Sequence, residues 1–431
     1  QRSALGRTER YISFLKGHSM AKEKAVKLLN WIVYVYILTY ILPTGKIGPL
    51  PIQKICVCLF MLVGVLLLLN RRKIKSIIIE SKLEIIVFGT GIIWCLISYV
   101  KGSAYSVKFA SILFVSVIVL LIMYYLIQER LLNLDMIIKC MLYMMILKII
   151  AKIFIEISFL FGIIEYDAVF QLYEKIFRAP ASMMTMNFGS IELIRVQSPS
   201  DIVVASLLPF YLIIPNEKEG IKIFNFLMLG IYTLIVFSRV YIVEFACFMF
   251  VAVVFYWKKI PKKVRYGGIG IIAISSLVWF RPMVEMLCFR FFSDNVAEAD
   301  SVRTEQIREL VIGIKNAPIW GHGMGSFLPD LIRSEEIPFS YEAEYLSFVY
   351  QLGIVGFIIL IVGILCIYLK RLWIYVRNNS LEVKVFSFVC IGWLLIRPAF
   401  NPSFLGLQNG FPVIGLLLLN AYFNEKSRSE I

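Results

Sequence analysis

Three glycines alternate around His322 in the stretch IWGHGMGSF, residues 319–327, and raise the question of a phosphate-binding loop. The spacing half matches the G-x-G-x-x-G fingerprint, which indicates a dinucleotide site only between a strand and a helix. The preceding stretch, SVRTEQIRELVIGIK at 301–315, has a helical pattern instead. We therefore expect the glycines to allow a tight turn and a close approach to neighbouring segments. Direct phosphate contact stays the alternative.

Arginines outside the basic clusters are the second feature that could do chemistry. A guanidinium group presents a planar fork of donors that suits phosphate oxygens, so several of them on one face would suit an anionic substrate. Singly, each could equally be a solvated or snorkelling side chain. The group comprises Arg195, Arg239, Arg281, Arg290, Arg303, Arg308, Arg333 and Arg397.

Two acidic residues follow the glycine stretch, at the start of a long apolar run. Glu342 and Glu344 point about 200° apart on a helix, so at most one faces a given site. Either could be a surface carboxylate or an arginine partner. The predicted 301–315 helix begins at Asp300 or Ser301 and holds Arg303 at the edge of its apolar side. That side consists of Val302, Gln306, Ile307, Leu310, Val311 and Ile314.

Composition indicates that these residues belong to an integral membrane protein. Of 431 residues, 59% are hydrophobic and 17% are charged, and the mean hydropathy is +0.80. The predicted fold is an all-α polytopic bundle with about twelve transmembrane helices, each of roughly 17 to 25 residues. The candidate spans are 28–43, 52–70, 84–100, 107–127, 136–164, 201–215, 221–238, 240–257, 266–280, 342–369, 385–400 and 411–423.

The basic clusters at 71–75, 258–265 and 370–377 predict the topology. By the positive-inside rule they are cytoplasmic, which makes 165–200 and 281–340 long external loops and places FSR, 237–239, in an outer turn. Residues 28–423 form one transmembrane domain between cytoplasmic tails at 1–27 and 424–431. Residues 1–19 precede Met20 and are interpreted as an upstream extension or a non-native remnant.

Metal chemistry is not expected. The chain has two histidines, His18 and His322, too few for a histidine-type zinc site. Its eight cysteines lie mostly in apolar runs without a C-x-x-C pair, which is typical of buried small side chains. We expect neither a metal nor a cofactor, and no nucleic-acid partner.

Four stretches resemble the O-antigen ligase and polymerase superfamily, especially the bacterial repeat-unit polymerases of O-antigen and capsule (the Wzy type). They are RVQSPSDIVVASLLPFYL (195–212), FSRVYIVEF (237–245), RTEQIRELVIGIKNAPIWGHGMGSF (303–327) and EAEYLSFVYQLGIVG (342–356). RPAFNPSF, 397–404, is similar to the outer asparagine-proline turn of the family. The ligases carry a histidine where this chain has Glu342, a difference that favours a polymerase.

The resemblance implies a membrane-embedded, inverting, metal-independent glycosyltransferase of the GT-C type. It would transfer a growing glycan from undecaprenyl pyrophosphate to the non-reducing end of another lipid-linked repeat, on the outer face of the bacterial plasma (inner) membrane. A chain-length regulator and a flippase are the expected protein partners. The leaving pyrophosphate needs fixed donors, and the acceptor hydroxyl needs a base.

The expected roles follow from the resemblance. Arg239 and Arg303 would hold the pyrophosphate, with Arg195 and Arg290 assisting, and Glu342 would be the base. Asp201, His322 and Glu344 are substitutes for the base, and Tyr345 is a further substrate contact. Two alternatives stay open. One is a ligase that passes finished glycan to a lipid or protein acceptor. The other is a flippase or other transporter, because Lys139, Lys148, Lys152, Glu156 and Glu244 lie in or near apolar runs.

Overall fold

The chain is predominantly helical, as predicted. The computed structural model describes residues 23–71, 80–177, 182–188, 191–198, 200–207, 219–236, 238–257, 262, 266, 284, 288, 294–332, 337–377 and 379–400. The described residues do not include 267–280 of the predicted span 266–280, the predicted span 411–423, residues 1–22 or the tail 424–431. They also do not include Arg281, Arg290 and Arg333.

Five helices make up the N-terminal half, and the second and third of them pack on the fourth. They are α1 (Glu23–Ile41, ending in a 3-10 turn), α2 (Ile52–Arg71), α3 (Lys82–Val100), α4 (Ser106–Gln128) and α5 (Leu134–Leu160). Close contacts explain the packing: a methyl group on Gly64 of α2 would lie 2.7 Å from Ile122, and one on Gly91 of α3 would lie 2.0 Å from Phe114. Asn133 caps α5 by accepting a hydrogen bond from the Met136 amide at 3.1 Å.

The described residues between 165 and 200 form helical turns and two strands. Helix α6 (Tyr166–Gln171) continues into a π-helical turn, Leu172–Ile176. An antiparallel hairpin follows, β1 (Ser182–Phe188) paired with β2 (Ile191–Gln197). This hairpin is a local departure from the otherwise helical fold that was predicted. Val169, Tyr173, Ile194 and Val196 form a small core with Ile155 and Phe159 of α5, which seats the segment on the bundle.

The C-terminal half continues with α7 (Asp201–Ser206), α8 (Glu219–Val236), α9 (Arg239–Tyr256), α10 (Asp294–Asn316), α11 (Glu344–Gly356), α12 (Gly363–Val376) and α13 (Leu381–Ile396). Helix α8 ends at Val236 and α9 begins at Arg239, which agrees with a break between two helices at 237–239. Phe226 and Phe245 stack at 5.0 Å between these two helices. Helix α10 begins at Asp294, so Asp300 and Ser301 are not its caps as predicted.

Six helices in the described part of the chain are long and apolar enough to cross a membrane: Glu23–Ile41, Ile52–Asn70, Lys82–Val100, Ser106–Gln128, Arg239–Tyr256 and Glu344–Ile374. Each coincides with a predicted span. The total of about twelve, the sidedness of the loops and the GT-C likeness stay predictions.

The predicted span 342–369 is interrupted near its start. Gly353 has φ 66° and ψ 177°, which is not helical, and Phe357–Val362 is π-helical. The glycine loop, residues 318–325, fills the break with its own backbone. The amides of His322 and Gly323 donate to the carbonyls of Tyr350 (3.0 Å) and Gln351 (2.8 Å), and the amides of Ile354 and Val355 donate to the carbonyls of Pro318 (2.9 Å) and Ile319 (3.3 Å).

Glycine is required at the crossing of the loop and the helix. Gly321 and Gly353 both have φ of 66°. A Cβ on Gly321 would lie 2.3 Å from the Gly353 nitrogen, and one on Gly353 would lie 2.2 Å from the Ile319 oxygen. The expectation that the glycines allow tight turning and close approach is therefore confirmed.

Gly353→Ala should destabilise the protein by on the order of 3 kcal/mol. It forces alanine into a positive-φ, extended conformation that is essentially restricted to glycine, at about 1 to 3 kcal/mol, and adds a steric overlap of about 1 to 3 kcal/mol. Thermal unfolding in detergent measures the effect. The matched control is Gly89→Ala in α3, where a Cβ meets no atom within 4 Å and no loss is expected. Equal unfolding temperatures for the two variants would contradict the role given to the break.

Candidate active site

Arg303 and Glu342, two of the predicted catalytic residues, form an ion pair. Arg303 Nη2 lies 2.5 Å and Nε 2.9 Å from the same carboxylate oxygen, Oε2 of Glu342. The two side chains are 22% and 21% exposed, so the pair is reachable from outside yet partly desolvated. Glu342 lies in the turn before α11, and its amide donates to Gln306 Oε1 of α10 at 3.2 Å.

An apolar contact between α10 and α11 fixes the distance between the two partners. Leu310, Tyr341 and Tyr350 form a buried cluster. Gly313 permits it, since a Cβ there would lie 2.5 Å from the Tyr350 ring. Leu310 confirms the predicted apolar side of the 301–315 helix, but Val302 and Ile307 are exposed.

Tyr341 lies beside Glu342 in sequence but is unsuited to act as a base. Burial raises the pKa of its hydroxyl to about 12, although the Leu328 amide donates to that hydroxyl. The phenol therefore stays neutral near pH 7. The carboxylate of Glu342 is the basic group at this position.

His322 is bound to backbone and does not face an open site. Its Nε2 lies 2.9 Å from the Gly313 carbonyl oxygen. A carbonyl oxygen only accepts, so Nε2 carries the proton. The ring also stacks on Tyr350 with centroids 4.4 Å apart. The structure therefore gives no support to His322 as a substitute base.

Asp201, the second substitute base, lies in a fully buried ionic cluster. Lys148 and Lys152 of α5 approach its two oxygens at 3.1 and 2.7 Å. Tyr232 donates to it at 2.6 Å, and the amide and hydroxyl of Ser198 donate at 2.8 and 2.7 Å. With both oxygens so engaged and no exposed surface, Asp201 is not available to a substrate hydroxyl.

Arg195 is also buried rather than presented on the surface. It lies on β2, its Nε donates to the Val236 carbonyl at 3.2 Å, and its Nη2 donates to Gln197. These contacts tie the hairpin to the end of α8. The structure therefore brings Arg195 close to the turn before Arg239, but as a structural link rather than an open anion site.

A second buried ion pair joins Arg397 to Glu244, a pairing that the sequence analysis missed. Arg397 Nε lies 3.2 Å from Glu244 Oε2, Nη2 contacts Oε1, and Nη1 donates to Ser206 at 2.6 Å. Tyr241 is within electrostatic reach of this pair and of Asp201 and Arg195. In the sequence, Glu244 and Arg397 are single charges of opposite sign in separate apolar runs. Such charges can be paired only when the depth of each one within the helix bundle is known.

Glu344, Tyr345 and Arg239 lie at the two helix starts. Glu344 is buried with 5% exposure. Tyr345 donates to the Leu395 carbonyl at 2.7 Å and links α11 to α13. Arg239 is half-buried at the first position of α9. Beyond it on the same helical face, Val243, Ala246, Cys247 and Phe250 line an open apolar groove of about 540 Å³, closed on the other side by α13.

Long apolar helices, ion pairs buried between them and a partly exposed arginine-carboxylate pair define a polytopic membrane protein. Its polar site lies between the middle of α10 and the turn before α11. A family model described as O-antigen ligase matches residues 223–361, which confirms the predicted resemblance to the O-antigen ligase and polymerase superfamily. The match includes Arg239, Arg303, His322 and Glu342. No curated protein matches the chain.

Asp201→Ala should lower stability by about 3 to 5 kcal/mol, because it leaves two buried lysines without their shared carboxylate. Thermal unfolding in detergent is the measurement. Asp330→Ala, a loop residue exposed to solvent, is the control. The structural assignment of Asp201 is wrong if the two variants unfold at the same temperature.

Proposed function

We propose that the protein is a polymerase of lipid-linked polysaccharide repeat units, of O-antigen or capsule. It transfers the growing glycan from undecaprenyl pyrophosphate to the non-reducing end of a new lipid-linked repeat. The site faces the periplasm or exterior from the bacterial plasma membrane, with both termini cytoplasmic. The reaction inverts the anomeric carbon and needs no metal.

The observation that carries this proposal is the Arg303–Glu342 pair within the segment that matches the O-antigen ligase model. Glycosyl transfer from a lipid pyrophosphate needs a cation for the leaving group and a base for the acceptor. The pair supplies both groups. Its partial exposure allows a substrate to reach either member.

The pair suggests an exchange of partners during the reaction. A pyrophosphate oxygen is a strong, bidentate partner for Arg303 and competes with Glu342 for its guanidinium group. When the donor binds, Arg303 turns to the phosphate and Glu342 is released. The acceptor hydroxyl then passes its proton to Glu342, its oxygen bonds to the anomeric carbon, and the anomeric carbon–oxygen bond breaks with both electrons leaving on the pyrophosphate.

The face of α9 that carries Arg239 supports a lipid-linked donor. Arg239 precedes the groove residues Val243, Ala246, Cys247 and Phe250 by four, seven, eight and eleven positions, a helical repeat that puts all five side chains on one face. We propose that the polyprenyl chain lies in this apolar groove and the phosphates reach Arg239. Binding energy from the tail would then help to position the reacting bond.

A ligase is the second candidate, because the matching family model is described as O-antigen ligase. Glu342, where ligases carry histidine, favours the polymerase. Transport is less well supported, since Lys148, Lys152 and Glu244 are engaged in buried ion pairs. A transporter would be expected to keep its ionisable side chains beside a water-filled path through the membrane.

Purified protein incubated with lipid-linked repeat units alone tests the proposal. A ladder of products supports a polymerase. Transfer of glycan only after a lipid or protein acceptor is added would instead identify a ligase. Movement of the lipid-linked repeat across vesicles without any change in glycan length would identify a transporter.

Arg239→Ala and Arg303→Ala should abolish the ladder of polymer products, because each removes a cation proposed to stabilise the leaving pyrophosphate. Loss of one such donor lowers the transfer rate by about 100-fold or more. Arg308→Ala is the matched control. It lies on the same helix as Arg303, but its side chain is 66% exposed and pairs with Glu305 and Glu309. Normal product length from both Arg239→Ala and Arg303→Ala would overturn the assignment.

Glu342→Gln should lower the transfer rate by about 100- to 10,000-fold through loss of the general base, while binding of the lipid-linked donor is kept. Rates and donor affinity are measured on the same detergent-solubilised samples. Glu309→Gln, on the exposed part of α10, is the control. A Glu342→Gln enzyme with wild-type rate would move the base role elsewhere.

A further inference from the structure

The glycine loop and its histidine touch both elements that carry the Arg303–Glu342 pair. His322 Nε2 donates to the Gly313 carbonyl of α10 at 2.9 Å, and its ring stacks on Tyr350 of α11 at 4.4 Å. Its own amide donates to the Tyr350 carbonyl at 3.0 Å. One residue therefore links the end of α10 to the turn of α11 that precedes the break.

The rest of the loop anchors this link to the bundle. Gln351 is fully buried, its Oε1 accepts from the Gly325 amide at 2.9 Å, and its Nε2 donates to the Phe339 carbonyl at 3.2 Å. The Met324 amide donates to Ser98 Oγ of α3 at 2.8 Å. The loop is thus held on three sides, and His322 adds a polar link between α10 and α11 to the apolar contact of Leu310 with Tyr341 and Tyr350.

We propose that His322 is the positioning residue for the Arg303–Glu342 pair, an inference that rests on the proposed function. Gly313 lies ten residues beyond Arg303, about 15 Å along α10. If α10 tilts by about 4° around Gly313, Arg303 moves by about 1 Å at this distance. A displacement of that size at a reacting centre costs about 100-fold in rate. In this proposal His322 fixes the angle between α10 and α11 and takes no proton from the substrate.

Three variants separate a positioning role from the alternatives. His322→Phe keeps the ring that stacks on Tyr350 and loses the donor to Gly313. His322→Gln keeps an N–H donor and loses the aromatic ring. Lys315→Gln, exposed at the end of α10, is the control. Each is assayed for ladder formation with purified lipid-linked repeat units, with kcat and KM determined at several pH values.

We expect His322→Phe to lower kcat by ~10- to 100-fold with little change in KM, to keep the wild-type pH profile, and to be partly rescued in His322→Gln. Loss of a limb of the pH profile, with no rescue by glutamine, would show that His322 is itself an acid or base and would overturn the proposal. A wild-type kcat in folded His322→Phe protein would also overturn it.

Hydrogen–deuterium exchange gives a reading that does not depend on activity. His322→Phe should increase amide exchange in the peptides that cover 301–316 and 337–350, and Lys315→Gln should not. If the wild-type protein makes no transfer product, the proposed function fails while the exchange result still judges the positioning role. Unchanged exchange in His322→Phe would reject the positioning role by itself.

Discussion

The backbone hydrogen bonds across the break at Gly353 are the constraint on which the site depends. A helix in hydrocarbon must satisfy its own peptide groups, because lipid offers no donor or acceptor. At Gly353 the helix fails to do so, and the glycine loop provides two donors and two acceptors in its place. The loop therefore has to lie against α11 for the helix to be stable. This requirement brings the end of α10 to Tyr350, and Arg303, farther back on α10, then lies beside Glu342.

Charges inside the bundle follow the same rule. Asp201 lies between Lys148 and Lys152, and Glu244 lies against Arg397. Replacing such pairs with apolar residues need not weaken a fold, whereas removing one partner leaves an uncompensated buried charge. Both pairs join segments distant in sequence, α5 to α7 and α9 to the residues after α13. We infer that they hold the helix ends around Arg239 in register, since Tyr241 is within electrostatic reach of both.

Much of the helical framework was predictable from the sequence, since run length and hydropathy depend on composition alone. The turn between α8 and α9, the 301–315 helix and the six apolar helices all lie where the pattern indicated. The break at Gly353 was not predictable, because QLGIVG reads as one apolar run and only the distant loop makes the interruption stable. The hairpin was missed for a related reason, because its stability also depends on contacts between segments. Strands β1 and β2 pair with each other, and β2 packs on α5, and neither contact produces a regular alternation of apolar residues in the sequence.

The contacts of the candidate site residues were not predictable from the sequence. Arg303 and Glu342 were named for separate tasks, and the structure binds them to each other. His322 and Asp201 were named as bases, yet each is engaged by groups whose depth and direction a sequence does not reveal. The arginine-glutamate pair gives a physical reason for a carboxylate at position 342. A carboxylate keeps Arg303 oriented and balances its charge, and in the proposed reaction a pyrophosphate takes its place. A neutral imidazole would not supply this charge balance.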